Sequence, residues 1–187
     1  MTLFEYLAVS VSIVLSFGVI RLLDGIPAAL SRDRRYWLHV VWIVNVLWLH
    51  AQSWWTFWSY SNSVEWNYPR FMLALAAPAI LYSVDITLVS GQPGEISSWR
   101  DHFYRVRLRF CVLFALWFLA VTLSTWLVLG QPFFNTVRAW QGGFVVMFLV
   151  GAVWRDPRVH GGMAAVFMAL LLYSVVLGFF RPAPLSP

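Results

Sequence analysis

Apolar residues recur along the chain in six long runs, which are separated by short polar connections. A helix needs about 20 apolar residues to cross the hydrocarbon core of a bilayer, and each run approaches that length. The pattern predicts an all-α integral membrane protein whose single domain, residues 1–187, is a six-transmembrane-helix bundle. The predicted spans are approximately 3–23, 37–59, 70–90, 108–130, 133–153 and 162–180.

Composition supports a membrane setting. Hydrophobic residues make up 60% of the chain and charged residues only 11%, and the mean hydropathy is +0.70, which lies outside the range of soluble globular proteins. All thirteen basic residues are Arg and the net charge is +5. Because these Arg residues lie beside the predicted spans, the charge favours contact with anionic lipid over nucleic acid.

The distribution of Arg predicts the orientation. The connections 24–36, 91–107 and 154–161, together with the adjoining helix ends, hold ten of the thirteen Arg residues. Loops rich in Arg stay in the cytoplasm. Both termini are therefore expected on the non-cytoplasmic side.

A short interfacial helix is predicted before helix 4. Ser98 can cap a helix start and Asp101 suits its first turn. Trp99, Phe103 and Phe110 then recur on one face, while Arg residues occupy the others. Such a segment is typical of a helix lying at the membrane surface. The residues expected to contact anionic lipid are Arg100, Arg105, Arg107 and Arg109.

The second span carries a polar stripe. On a helix, Asn45, Gln52 and Thr56 fall within roughly 60° of one another. Lipid does not tolerate such a stripe, so it must face protein, water or a ligand. It could line a cavity beside Trp48 and Trp55, or it could form hydrogen bonds between helices. Both interpretations stay open at this stage.

Two ionisable residues extend this candidate polar path. Asp85 in the third span is an intramembrane acid, which is a functional hypothesis by default. Arg21 of the first span is expected at similar depth, so an Arg21–Asp85 ion pair is predicted. His50 in the second span is a further ligand candidate, but its position toward the outer side leaves it without an expected partner.

Signatures of catalysis and metal binding are missing from the sequence. It contains no phosphate-cradling glycine loop, no paired histidine box and no Gly-x-Ser-x-Gly turn. The single cysteine, Cys111, lies within an apolar segment, and the histidines lack the short spacing of metal ligands. We predict no catalytic residue, no metal and no cofactor, and a non-enzymatic role is favoured.

Four segments carry a resemblance to other proteins. They are the opening FEYLAVSVSIVLSFGVIRLLDGI, the HAQSWWTFW stretch, the PAILY run and the DHFYRVRLRF segment. In these segments, which fall within about the first 110 residues, the chain resembles a group of short bacterial multi-pass membrane proteins. The resemblance implies a bacterial inner-membrane location and adds no catalytic or binding role.

Three functional hypotheses follow. The first is a small channel or transporter whose polar path is lined by helices 2 and 3; it requires Asn45, Gln52 and Asp85 to converge on one cavity. The second is a non-enzymatic scaffold, sensor or accessory subunit that binds partner helices or lipid. The third is a cofactor- or lipid-binding membrane enzyme. Besides the bilayer, the expected partner is a second copy of the chain or another membrane subunit.

Overall fold

Six α-helices account for most of the computed structural model, which describes residues 2–62 and 65–176. They confirm the predicted helix count and the all-α class. Short 3-10 helices lie at Trp58–Asn62 and Pro93–Glu95. The α-helices are α1 Leu3–Ala29, α2 Trp37–Phe57, α3 Tyr68–Leu88, α4 Trp99–Leu127, α5 Thr136–Val153 and α6 Pro157–Ser174.

Most of these helices begin at a side-chain cap. The Thr2 hydroxyl accepts from the Glu5 amide, and the Glu5 carboxylate accepts from the Thr2 amide, which forms a capping box. Asn67, Ser98 and Asn135 cap α3, α4 and α5 in the same position. Each cap satisfies a backbone N–H that the helix itself cannot satisfy. Local sequence therefore determines where these helices start.

Four helical segments are long and apolar enough to cross a membrane: α1, Tyr68–Glu95, α4 and α5. Only 22% of the apolar window of α1 and 17% of that of α5 are buried within the protein. Apolar faces this large need a covering in water, and lipid supplies one. These segments indicate a membrane protein. α2 and α6 fall outside this set; α2 carries the buried polar residues His39, Asn45 and His50.

The helices pack in a closed circuit. α3 lies between α1 and α4, α5 packs on α4, and α6 packs on α5. α2 closes the circuit by contacting both α6 and α1, with lighter contacts to α3 and α4. Because α2 packs against four other helices and its Trp42 also meets Phe148 of α5, its side chains decide much of the interior.

An aromatic core fills the space between α2, α4, α5 and α6. Its members are Trp42, Phe110, Phe114, Phe148 and Phe167, all of which are at most 1% exposed. The rings of Phe114 and Phe148 stack with centroids 4.4 Å apart, and Trp42 packs against the Phe110 edge at 5.1 Å. Such ring pairs add to the free energy of burying their surface.

The connection from α3 to α4 follows α1 toward the C-terminal end of α1. Arg21 Nε donates to the carbonyl oxygen of Val89 at 2.8 Å, and its Nη2 donates to Gly91. Further on, Trp99 Nε1 donates to the carbonyl oxygen of Ala28 at 2.9 Å. α3 therefore ends well before α1 does, and a segment whose only helical part is the short 3-10 helix completes the path to α4.

The segment predicted as an interfacial helix is helical, and it is continuous with α4. Arg100, Arg105 and Arg109 are exposed on it, whereas Arg107 is only 5% exposed. Arg107 Nη1 donates to the carbonyl oxygens of Gly151 and Trp154. It thus satisfies the C-terminal end of α5 and is not available to lipid, which corrects the expectation for this residue.

Candidate functional site

A histidine and an aspartate meet inside the protein where α1, α2 and α3 come together. His50 Nε2 lies 3.1 Å from Asp85 Oδ2, and the two side chains are 3% and 0% exposed. Burying ionisable groups costs several kcal/mol per charge unless they are paired. A contact of this kind in the interior of a membrane protein marks a functional candidate.

Gly18 of α1 makes room for this pair. A methyl group at Gly18 would lie 2.6 Å from His50 Nε2 and would collide with Asp85 Oδ2. Only glycine allows the backbone of α1 to approach the two side chains this closely. The site is therefore built by three helices.

The geometry requires one proton between the two residues. His50 Nδ1 lies 2.8 Å from the carbonyl oxygen of Val46, which can only accept, so Nδ1 carries a hydrogen. Nε2 then faces Asp85 Oδ2, and two lone pairs at 3.1 Å would repel each other. Either imidazolium faces carboxylate, or imidazole faces carboxylic acid.

The hydrogen bonding of the pair is incomplete. Among the residues that the structure describes, His50 Nε2 and Asp85 Oδ2 have only each other, at 3.1 Å, and Asp85 Oδ1 has no hydrogen-bond partner. Buried polar groups are normally satisfied, and exceptions often have a functional cause. Asp85 Oδ1 can therefore accept a hydrogen bond from a small donor such as water.

The predicted Arg21–Asp85 pair is not formed. Arg21 is bound to the carbonyl groups of Val89 and Gly91, and Asp85 faces His50 instead. The reason is the early end of α3. From the helix bounds Tyr68–Leu88 and Trp37–Phe57, Asp85 lies about 5 Å from the end of α3 and His50 about 20 Å from the start of α2. Since the two side chains meet, α3 ends well short of the level at which α2 begins, and Arg21 binds the carbonyl groups beyond the end of α3.

A cavity of about 350 Å³ adjoins the pair. Leu15, Leu49 and Leu81 line it, and each belongs to the same helix as one member of the Gly18–His50–Asp85 cluster, within about one turn of it. All three leucines are at most 5% exposed. They form a leucine layer between the cavity and the pair.

The other side of the cavity is more polar. Gln52 and Thr56 of the predicted stripe line it, and so do Tyr60, Thr125 and Gln141. The Tyr60 hydroxyl lies 2.7 Å from Ser124 Oγ. Burial raises the pKa of the Tyr60 phenol above its ordinary value, so the hydroxyl stays protonated and remains a hydrogen-bonding group.

Residues of the predicted polar stripe have two roles: some bind α6 and some line the cavity. Asn45 Nδ2 donates to the carbonyl oxygen of Ala164 at 3.1 Å, and Gln52 Nε2 donates to Leu171 and Ser174 of α6. Asn45 and Asp85 are not among the residues that line the cavity. Asn45, Gln52 and Asp85 therefore do not converge on one cavity, because α2 uses Asn45 and Gln52 to hold α6.

The two tryptophans predicted beside the stripe lie elsewhere. Trp48 is half-buried and packs against the hydrophobic core, while Trp55 is 53% exposed. Neither is among the residues that line the cavity. The tryptophan that does line it is Trp117 of α4.

Arg138 is the site residue that the sequence pattern did not single out. It is 9% exposed, and its Nη1 donates to Thr125 Oγ1 and, at 2.8 Å, to Gln141 Oε1. Both acceptors line the cavity. From the sequence, Arg138 is only one of three Arg residues expected on the outer side. The one sequence feature that links it to other polar residues is its position about one helical turn before Gln141.

The inner histidines form no metal site. His39 packs on Trp99 with centroids 4.4 Å apart, while His102 and His160 contact the carbonyl oxygens of Leu88 and Trp154, both at 3.0 Å. Within the described residues, no group of three or more His, Cys, Asp or Glu side chains is arranged to hold a metal ion.

Comparison with models of protein families, with curated proteins and with solved structures found no match. Functional inference therefore depends on the chemistry of the His50–Asp85 pair and the adjoining cavity.

Proposed function

We propose that this protein is a small transporter of the bacterial inner membrane with a path different from the predicted one, in which the His50–Asp85 pair carries a proton and the cavity holds the transported solute. The predicted polar path through Asn45, Gln52 and Asp85 is not formed, and the transporter hypothesis in that form is wrong. The observation that most supports the present proposal is the buried pair itself, 3.1 Å apart and at most 3% exposed. In this proposal all six helices cross the membrane and both termini lie outside the cytoplasm.

The pair is poorly explained as a stabilising contact. A buried ion pair is often no better for stability than well-packed apolar side chains of similar size. Here Gly18 leaves α1 without a side chain at the contact, and Asp85 Oδ1 lacks a hydrogen-bond partner among the described residues. Features that cost stability in this way are typical of a site retained for function.

Protonation can be linked to the leucine layer through the helices. Leu15, Leu49 and Leu81 share α1, α2 and α3 with Gly18, His50 and Asp85. Gain or loss of the shared proton changes the attraction that holds α2 and α3 together at the pair. A change in that contact is transmitted to the leucine layer, because the layer belongs to the same three helices.

Proline supplies a point of movement in α3. Pro78 lies inside α3 and lines the cavity, seven residues before Asp85. A proline inside a helix removes one backbone hydrogen bond and commonly introduces a kink. α3 can therefore bend between the cavity and the pair, as alternating access requires.

Proton uptake into liposomes tests this proposal. Purified protein is reconstituted with a pH-sensitive dye inside, a proton gradient is imposed, and organic anions, organic cations and neutral solutes are added in turn. We expect one solute class to collapse the gradient with the wild type but not with Asp85→Asn or His50→Gln. Asp24→Asn, which changes an exposed acid of α1, is the matched control.

Two results would contradict the proposal. The first is solute-driven proton uptake by Asp85→Asn at the wild-type rate, which would remove the pair from the transport step. The second is no response to any solute class together with a stoichiometric foreign subunit in the purified material. That result would favour the accessory-subunit hypothesis, in which the exposed faces of α1 and α5 bind a partner.

A further inference from the structure

Arg138 of α5 is a buried cation without a carboxylate partner among the residues that the structure describes. It is 9% exposed, and its Nε and Nη2 atoms have no hydrogen-bond partner among the described residues. The guanidinium group does not lose its charge in proteins. A permanent charge inside a membrane protein normally pairs with an opposite charge or lines a path for one.

The bonds that Arg138 does make orient it beside the cavity. Its Nη1 donates to Thr125 and Gln141, and both residues line the cavity. Tyr60, also a lining residue, is close enough to interact electrostatically with Arg138. Arg138 itself is not among the lining residues, and its Nε and Nη2 atoms are buried. The guanidinium group thus lies behind the polar wall and supplies a fixed positive charge there.

Gln141 adds a second donor at this wall. Its Oε1 accepts from Arg138 at 2.8 Å and from Thr122 Oγ1 at 2.8 Å. Since the guanidinium group can only donate, this contact determines which end of the amide is the oxygen. The Nε2 group of Gln141 therefore keeps its two hydrogens for another acceptor.

Most of the other lining residues are apolar, among them Leu15, Leu49, Leu81 and Trp117, although Ser53, Ser59 and Gln131 also line the cavity. The total volume is about 350 Å³, which lies at the lower end of the range for small-molecule sites, roughly 300 to 1,000 Å³. A pocket with a largely hydrophobic body and a positive charge behind one wall matches a ligand with an apolar body and a single anionic group.

We propose that the cavity binds an organic anion of this shape, with its carboxylate or phosphate oxygens at Gln141 Nε2 and its apolar body toward the leucine layer. The fixed charge of Arg138 behind the wall attracts the anion without touching it, and such a charge acts more strongly where water is excluded. This proposal rests on the proposed function only where it identifies the anion as the transported solute. Binding of the anion itself does not require transport. Within that function, the proton of the His50–Asp85 pair would balance the charge of the anion.

Binding of benzoate and benzamide tests the site. The two molecules have nearly the same apolar body and differ in the anionic group, and saturable binding is measured as a concentration-dependent rise of the thermal unfolding midpoint. We expect benzoate to bind the wild type at least tenfold more tightly than benzamide. Equal binding of the two, or binding of neither, would overturn the proposal without any variant being needed.

Three variants locate the binding. Arg138→Gln should lower benzoate affinity at least tenfold, whereas Arg70→Gln, which changes another Arg at the same end of the bundle, should leave it unchanged. Ser53→Leu, which fills part of the cavity, should weaken both molecules and leaves the guanidinium group intact. Benzoate binding that is unaffected by both Arg138→Gln and Ser53→Leu would place the ligand elsewhere and contradict the proposal.

Native mass spectrometry separates a free organic anion from a lipid. Protein from membranes containing phosphatidylglycerol is compared with protein in phosphatidylcholine alone. One bound phosphatidylglycerol that Arg138→Gln loses and benzoate displaces would support the site and identify its anion as a lipid phosphate. Benzoate binding with no such lipid supports a free anion, and benzoate binding without Asp85-dependent proton uptake would leave the site standing while removing the transporter function.

Discussion

Two regions of α2 are built in opposite ways. Trp42 enters the aromatic core, where rings from α4, α5 and α6 pack around it edge to face and at a tilt. About two turns further along α2, His50 meets Asp85 beside the cavity, and Asp85 Oδ1 lacks a hydrogen-bond partner among the described residues. One helix therefore contributes both to a closely packed apolar region and to an incompletely satisfied polar one.

The first region contributes to the stability of the bundle, and the second lacks the contacts that would do so. Interlocking aromatic side chains gain from dispersion and burial at every contact. The pair, the cavity and the glycine at position 18 each forgo such contacts. A chain that needed only a stable bundle would fill this space with apolar side chains, which supports the proposal that the region is a binding and protonation site.

The largest effect should come from breaking the pair on one side only. Asp85→Leu leaves His50 buried without its partner, and we expect the free energy of unfolding to fall by about 3 to 5 kcal/mol. The double variant His50→Leu/Asp85→Leu should recover most of that loss, because no ionisable group is left behind. SDS titration in detergent micelles measures both; a double variant less stable than Asp85→Leu would make the pair a structural requirement.

A comparable loss is expected in the aromatic core. Phe148→Ala removes a ring that is 0% exposed and stacked on Phe114, and such truncations cost about 3 to 5 kcal/mol. Proton uptake per folded molecule should stay close to that of the wild type. Val146→Ala, at a 60% exposed position of the same helix, is the control and should change neither quantity.

A smaller effect is expected at the glycine contact. Gly18→Ala should lower the free energy of unfolding by about 1 to 3 kcal/mol, as overpacking usually does. It should also impair proton uptake, because the methyl group pushes into His50 and Asp85. Gly143→Ala has open space around the new methyl group and should be tolerated. Unchanged uptake in Gly18→Ala would show that the close approach of α1 is not needed.

The smallest effect should come from the polar stripe. Asn45→Leu removes the hydrogen bond to Ala164, and interhelical bonds in membrane proteins are worth about 0.6 kcal/mol on average. Proton uptake should be retained, since Asn45 is not among the residues lining the cavity. A loss of uptake as large as that in Asp85→Asn would place Asn45 on the transport path after all.

Sequence reasoning selected His50 and Asp85 separately but did not pair them. It expected Arg21 and Asp85 at similar depth and His50 toward the outer side, without a partner. The early end of α3 and the path of residues 89–98 along α1 give Arg21 backbone carbonyl groups to bind and leave Asp85 to His50, and neither feature is visible in a hydropathy pattern. Arg138 was passed over for a similar reason, because its burial depends on how α4 and α5 pack.

Taken alone, the sequence determined the helical class, the number of helices and most helix starts, since periodic apolar runs and capping side chains act over a few residues. It also marked the second span as the one with unusual polar content. Only the tertiary structure decided that Asn45 and Gln52 hold α6, that His50 meets Asp85 against Gly18, and that Arg138 stands behind a cavity. These contacts join residues 35 or more positions apart in most cases, and relative helix depth and rotation, which set them, are properties of the packed bundle.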